Sequence, residues 1–309
     1  MANTGIASVG ECMLELSGGD GGNWRMGYAG DTFNTLWTLR ALVEPGMATD
    51  YVSAFGDDPF SERQIDFLKE SGVGIASSPR IKGARPGLYA ITLNGAERSF
   101  TYWRNDAAAR QLASDPAALA ASLAKRDLVY FSGITLAILE PAARRVLVSA
   151  LATARRAGSL VAFDPNYRPR LWSSADDARA AFDEALAACD IALPTFPDEE
   201  TLYGDADPAA TAARLRSAGV PEAAVKNGEM PALVVDRSGA TEVPANTVNA
   251  LDTTGAGDSF NGAYLAARLR GEAPADAAKR AHRVAASVVQ VRGALAPHER
   301  LREAFAAGA

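Results

Sequence analysis

Gly255-Ala256-Gly257-Asp258 is the stretch best suited to chemistry. Three consecutive residues with almost no side chain let an anion lie directly on the backbone, and a helical pattern is expected from Ser259 to about Arg270. A helix start offers unpaired N–H groups and the positive end of the macrodipole, which together favour phosphate. Asp258 stands at that entrance, either as the helix cap or as a base facing whatever the amides hold. Val248 to Leu251, just before, reads as extended chain.

Other polar clusters fall where predicted strands end, and in open parallel sheets ligands gather at the carboxyl ends of strands. Gly30-Asp31-Thr32-Phe33-Asn34 opens a helix, with Asp31 as its expected N-cap. The same donors and acceptors suit sugar hydroxyls. Tyr102-Trp103-Arg104-Asn105 closes a hairpin strand, and Arg104 is either a solvated edge residue or a fork for a carboxylate. Asp164-Pro165-Asn166-Tyr167-Arg168-Pro169-Arg170 follows a strand; its two prolines impose a non-helical path from which Asp164, Asn166 and Arg168 project. Lys226, one of five lysines in the chain, precedes the turn Asn227-Gly228. It is either a surface lysine or a group within reach of a nucleotide phosphate. His282, inside an apolar helix, reads as a packing residue that could lie against a purine.

The elements that must position these groups alternate. Strands are expected at 6–9, 51–55, 128–131, 160–163, 191–193, 222–226 and 233–235. Helices are expected at 32–43, from Asp58-Pro59 to Gly72, and at 141–157, 175–188, 209–218, 259–270 and 275–291. That order implies an α/β fold, a mostly parallel central sheet with helices on both faces. Leu88–Leu93 and Arg98–Trp103 flank a turn at Asn94–Glu97 and form a hairpin signal. With Met13–Leu16 and Asn23–Tyr28 they predict a small β-sheet flap from about 12–30 and 83–105. One domain spanning 1–309 is expected.

Composition narrows the partners. The 309 residues are 48% hydrophobic and 22% charged, with a net charge of −6, which disfavours nucleic acid or an anionic membrane as partner. No apolar run reaches the length of a membrane span. Met1–Gly10 lacks a basic segment followed by an apolar core, so no signal peptide is expected. Cys12 and Cys189 are too few for a disulfide framework, and a cytoplasmic location is expected. GxxxxGK[ST], a GxGxxG after the first strand, protein-kinase signatures and GxSxG are all absent, which argues against P-loop, dinucleotide, protein-kinase and Ser/His hydrolase chemistry.

Asp252-Thr253-Thr254-Gly255-Ala256-Gly257-Asp258-Ser259-Phe260 resembles the C-terminal signature of the ribokinase-like (PfkB) carbohydrate kinases, and the resemblance extends over nearly the whole chain. Val9–Met13, Gly30–Thr35, Tyr102–Asn105, Asn166–Trp172 and Ala278–His282 are similar to segments of the branch that acts on 2-keto-3-deoxygluconate. Asp164–Arg168 is equally similar to fructokinases.

The resemblance implies a ribokinase-like three-layer fold and ATP-dependent phosphorylation of the sugar acid at its primary 6-hydroxyl. A fructokinase-like activity is the alternative, and a non-catalytic sugar- or nucleotide-binding regulator is a more distant one. Gly30, Asp31, Asn34, Tyr89 and Tyr102 would hold the sugar, while Arg104 and Arg168 would take its acid end. Asp258 would be the base, with the amides of Gly255, Ala256 and Gly257 as an anion hole. Asp164, Asn166, Thr195, Lys226, Gly228 and His282 would border ATP. The family's Asn-x-x-Glu segment appears as Thr195-Phe196-Pro197-Asp198, leaving Asp198 to organise water on Mg²⁺. Ala29 replaces the first glycine of a common pair. Apolar flap strands carrying Tyr89, Ile91, Phe100 and Trp103 suggest a homodimer or larger homo-oligomer through the flap.

Overall fold

The computed structural model describes residues 5–18, 22–94 and 97–307. In chain order its elements are β1 (Ile6–Val9), β2 (Met13–Gly18), β3 (Trp24–Ala29), α1 (Asp31–Leu42), β4 (Thr49–Val52), α2 (Pro59–Glu70), β5 (Leu88–Asn94) and β6 (Glu97–Trp103). Then follow α3 (Pro116–Leu123), β7 (Leu128–Ser132), α4 (Gly133–Ala137), α5 (Pro141–Arg156), β8 (Leu160–Asp164), α6 (Ala175–Ala187), β9 (Ile191–Ala192), α7 (Phe196–Tyr203) and α8 (Pro208–Ser217). The chain continues through β10 (Glu222–Val225), β11 (Ala232–Asp236), β12 (Gly239–Val243), α9 (Ala256–Leu269), α10 (Pro274–Val288) and α11 (His298–Ala306).

Eight strands form one sheet in the order β12-β11-β10-β9-β8-β7-β1-β4. From β4 to β10 the neighbours run parallel, and β11 and β12 extend the edge antiparallel. Because side chains alternate along a strand, each strand feeds two cores. Val129, Phe131, Val161 and Phe163 point to the layer of α3, α5, α6 and α8. Leu128, Tyr130 and Ala162 point to the layer of α1, α2, α9, α10 and α11. This is the three-layer α/β arrangement expected from the alternation.

The second sheet has the order β3-β2-β5-β6, so the flap forms from the two segments anticipated. β5 and β6 pair in register from Leu88 opposite Trp103 to Asn94 opposite Glu97; Gly95 and Ala96, the expected turn tip, lie outside the described residues. Tyr89 and Ile91 are buried in the flap's own small core with Met13 and Ala29. Among the described residues, the large exposed flap apolars are Trp24, Met26 and Trp103.

Several expectations shift. The strand expected at 51–55 is Thr49–Val52, with Phe55 bridging only to Arg80. Residues 244–250 form no strand. Asp31 does not cap α1: Gly30 is the N-cap and Asp31 the first helical residue. Both positions welcome a carboxylate at the positive helix end, so pattern alone does not separate them. α9 begins at Ala256, three residues before the expected Ser259, with Gly255 as its N-cap. Asp258 therefore lies inside the first turn and is not the cap. Helices α3, α4, α7 and α11 and strand β12 were not anticipated.

One contact sets how closely the two site-bearing helices approach. A Cβ at Gly262, on α9, would sit 2.7 Å from the Thr35 carbonyl oxygen and 2.7 Å from Thr38 Cβ, on α1. Only hydrogen fits there, so the two helices meet backbone against side chain.

Candidate active site

The carboxyl ends of β1, β8 and β10, the loop after the short β9, the flap and the start of α9 enclose a cleft of about 1090 Å³. Every residue singled out from the sequence as a site residue lines it, from Gly30, Asp31, Asn34, Tyr89, Tyr102 and Arg104, through Asp164, Asn166, Arg168, Thr195, Asp198, Lys226 and Gly228, to Gly255, Ala256, Gly257, Asp258 and His282.

At the floor, Asp258 Oδ2 accepts a hydrogen bond from Asn34 Nδ2 at 2.8 Å. Asn34 is fixed in turn, because its Oδ1 accepts from the Gly30 amide at 3.3 Å. Burial pushes the Asp258 carboxyl up to about 7, with the nearby Asp31 carboxylate adding to the shift. A carboxyl poised near neutrality serves as a general base in the physiological range. Asp31 Oδ2 accepts from Asn166 Nδ2 at 2.8 Å, and burial raises its pKa as well.

Beside them lies a buried polar net. Lys226 Nζ donates to Asp164 Oδ2 at 2.8 Å and to Asn261 Oδ1 at 2.9 Å. Asn261 Nδ2 donates to the same Asp164 oxygen at 2.7 Å and to the Tyr130 hydroxyl at 3.1 Å. Asp164 Oδ1 accepts the Asn166 amide at 3.0 Å, with Asn166 held at φ 37°. Lys226 is thus no surface lysine. Its ammonium lies 3.7 Å from where a Cβ on Gly257 would be, so the cation adjoins the start of α9. Thr195 bridges to Lys226 along the next segment.

The turn before α9 is braced from below. Asp252 accepts the Thr254 amide at 3.0 Å and the Gly293 amide at 2.7 Å. Gly255 has φ 76°, and a Cβ there would meet Ala294 Cβ at 2.8 Å. Of the amides expected in the anion hole, that of Ala256 already donates to the Thr253 carbonyl at 3.3 Å. Gly257 N–H, in the first helical turn, has no intrahelical carbonyl to meet.

The flap end differs from simple expectation. Arg104 is buried, not a solvated edge residue, and its Nη2 pairs with Glu11. Arg168 Nη1 donates to Asp198 Oδ2 at 3.0 Å, so two residues assigned to opposite ends of the site are partners. The Tyr89 hydroxyl donates to Glu15, and its ring lies 5.7 Å from that of Tyr102. His282 packs edge-on against Phe260 at 5.0 Å. Burial lowers its pKa, and Nε2 has no hydrogen-bond partner among the described residues.

Glu11, Asn261 and Arg170 were not assigned from sequence. Asn261 follows Asp258 by three positions, the spacing that puts two side chains on one helix face. Glu11 comes two residues after the end of β1, past Gly10. Both signals were present.

The chain belongs to the pfkB family carbohydrate kinases, whose family model matches residues 3–300. It is 43% identical over 302 residues to the 2-dehydro-3-deoxygluconokinase of Escherichia coli K12, covering 95% of this chain and 97% of that protein. Its fold is similar to the crystal structure of 2-dehydro-3-deoxygluconokinase from Thermotoga maritima, with a TM-score of 0.84 at 20% identity over 99% of this chain and 98% of that one. It is also similar to a fructokinase with bound ATP from Xylella fastidiosa, with a TM-score of 0.83 at 21% identity and 98% of each chain covered. Among the described residues, no helix is long and apolar enough to cross a membrane.

Proposed function

We propose that this chain is an ATP-dependent kinase of 2-keto-3-deoxy-D-gluconate, also called 2-dehydro-3-deoxygluconate, acting on the primary 6-hydroxyl. The observation that carries the reading is Asp258 itself. A buried carboxylate raised to about 7 sits within the first turn of α9 and is aimed by Asn34. The near-full-length kinship at 43% identity supports the choice of sugar acid.

In this reading the sugar lies between α1 and the flap, with Gly30, Asp31 and Asn34 on one side and Tyr89 and Tyr102 on the other. Arg104 and Arg168 offer N–H donors at the acid end. The 6-hydroxyl oxygen attacks the γ-phosphorus of ATP and its proton passes to Asp258. The bond from the γ-phosphorus to the β–γ bridging oxygen breaks, and ADP leaves. Phosphoryl transfer needs positioning and charge neutralisation more than covalent help; Gly255–Gly257 and the Nζ donors of Lys226 would position the phosphates, and Mg²⁺ would supply most of the neutralisation. Asp164, Asn166, Thr195, Gly228 and His282 border the nucleotide. Closure of the flap excludes water, which otherwise competes as acceptor.

Mg²⁺ fits this site in one way. Among the described residues no group of three or more His, Cys, Asp or Glu side chains is placed to cage a metal, but Mg²⁺ on a nucleotide uses few carboxylates and keeps several waters. Asp198 on the cleft wall would hold such water. The ion neutralises charge on the phosphates when bound.

Self-association through the flap is part of the proposal. Trp24, Met26 and Trp103 present exposed apolar surface on its two edge strands, and unpaired edges favour a second copy. A monomeric mass by sedimentation at micromolar concentration would remove it.

The decisive assay is coupled ADP release with ketodeoxygluconate, ketodeoxygalactonate, fructose and ribose. Highest kcat/KM on ketodeoxygluconate is expected. Turnover of fructose alone would replace the reading with a fructokinase, and no substrate-dependent ADP release would leave a binding protein.

A further inference from the structure

Among the described residues, four basic side chains line the cleft: Arg104, Arg168, Arg170 and Lys226. Three already face a carboxylate. Arg104 pairs with Glu11, both buried; Arg168 pairs with Asp198 at 3.0 Å; Lys226 pairs with Asp164 at 2.8 Å. A sugar carboxylate approaching Arg104 or Arg168 meets a protein carboxylate at nearly the same distance. Such a pair orients a ligand through its N–H groups but exerts little net attraction on an anion.

Arg170 is different. Among the described residues it has no acidic partner, and its guanidinium carbon lies 4.5 Å from the centroid of the Tyr102 ring. The guanidinium of Arg104 approaches the same ring at 5.9 Å. Two forks therefore converge on one aromatic side chain of the flap. Stacking occupies the face of a guanidinium and leaves its edge N–H groups available for a carboxylate. Arg170 reaches the ring from the single turn Pro169–Leu171, where Pro169 restricts the backbone, and it is exposed at the mouth of the cleft.

We propose that Arg170 supplies the uncompensated positive charge that selects a sugar acid over a neutral sugar, held in place by Tyr102 beside the Glu11-neutralised Arg104. This rests on the sugar-acid reading above and adds the residue that carries its charge preference. An exposed charge at a cleft mouth also attracts an anionic substrate at a distance, an effect that salt screens.

The test compares wild type, Arg170→Gln and Arg170→Lys in steady-state kinetics with ketodeoxygluconate, fructose and ATP at low and high salt. Loss of a charge-assisted contact of this type corresponds to about a tenfold or larger rise in KM for the sugar acid. The Gln variant is expected to show that rise with KM for ATP and fructose kinetics unchanged, and to lose the salt dependence of KM for the acid. The Lys variant is expected to recover part of it. A KM for ketodeoxygluconate within twofold of wild type in Arg170→Gln would overturn the assignment. An equal loss on fructose would overturn it too, making Arg170 a latch for the flap. Wild-type enzyme that turns over fructose but not ketodeoxygluconate would instead strike the sugar-acid reading, and this assignment with it.

Discussion

Asn34 Nδ2 donates to Asp258 Oδ2 at 2.8 Å, tying the first turn of α1 to the first turn of α9 across 224 residues of sequence. The bond favours the charged carboxylate, yet burial and Asp31 outweigh it and leave Asp258 near neutrality. One amide thus aims the base without making it too weak to accept a proton.

Replacing Asp258 with Asn removes the proton acceptor while keeping size and polarity. General-base help is worth roughly 10²–10⁴ in rate, so kcat should fall by about that factor with the fold retained and, because a buried charge is removed, with a melting temperature at neutral pH equal to or above that of wild type. Wild-type turnover in Asp258→Asn would take the residue out of the mechanism.

The rate should follow the titration of that group. With Asp258 at about 7, kcat/KM is expected to climb about tenfold per pH unit below 7 and to level off above it. Stability moves the opposite way. The folded carboxyl binds a proton at pH values where the unfolded chain, with the ordinary value of 3.8, does not, so substrate-free enzyme gains stability as pH falls from about 7 toward 4. Melting curves at pH 5 and 7.5 check the sign, and Asp258→Asn should reduce the difference, the carboxyls of Glu11, Asp31, Asp198 and Glu199, also raised by burial, keeping the remainder.

The two outer glycines of the motif should fail differently. Gly255→Ala forces a side chain onto φ 76° and into Ala294; the backbone alone costs about 1–2 kcal/mol, so the melting temperature should drop along with activity. Gly257 has helical backbone with space up to the Lys226 ammonium. Gly257→Ala should keep the melting temperature and raise KM for ATP, because the methyl group would take up space beside Lys226 that the proposal assigns to the phosphates. Equal melting temperatures for the two variants would show that the turn yields.

Lys226→Met leaves the buried Asp164 carboxylate without its cation. Breaking one side of a buried pair typically costs about 3–5 kcal/mol, read by urea denaturation. The double variant Lys226→Met/Asp164→Asn should regain much of that loss while remaining inactive. A double variant no more stable than the single one would count against the pair as the cause.

What could be read from the chain was local. Gly255–Asp258, the hairpin strands that carry Tyr89 and Tyr102 and the polar clusters after strands are runs of adjacent residues, and each lines the cleft. Partnership was not local. Glu11 and Arg104 are 93 positions apart, and nothing in either neighbourhood announces that one neutralises the other. The early start of α9 was hidden because Gly255, Ala256 and Gly257 read as a turn, and packing against Ala294 and α1 overrides weak glycine propensity. Asp115-Pro116 before α3 is the same cap-and-proline signal that correctly located α2 after Asp58, so that helix was legible and passed over.

The seam at Gly262, where α9 meets Thr35 and Thr38 of α1, has a consequence for the order in which the enzyme is made. Ribosomes deliver α1 early and α9, with Asp258, late. Until α9 emerges, the face of α1 that carries Asn34, Thr35 and Thr38 lacks its partner. Docking α9 covers that face and brings Asp258 to Asn34 in one event, so the proposed base meets the proposed sugar wall only once α9 is in place.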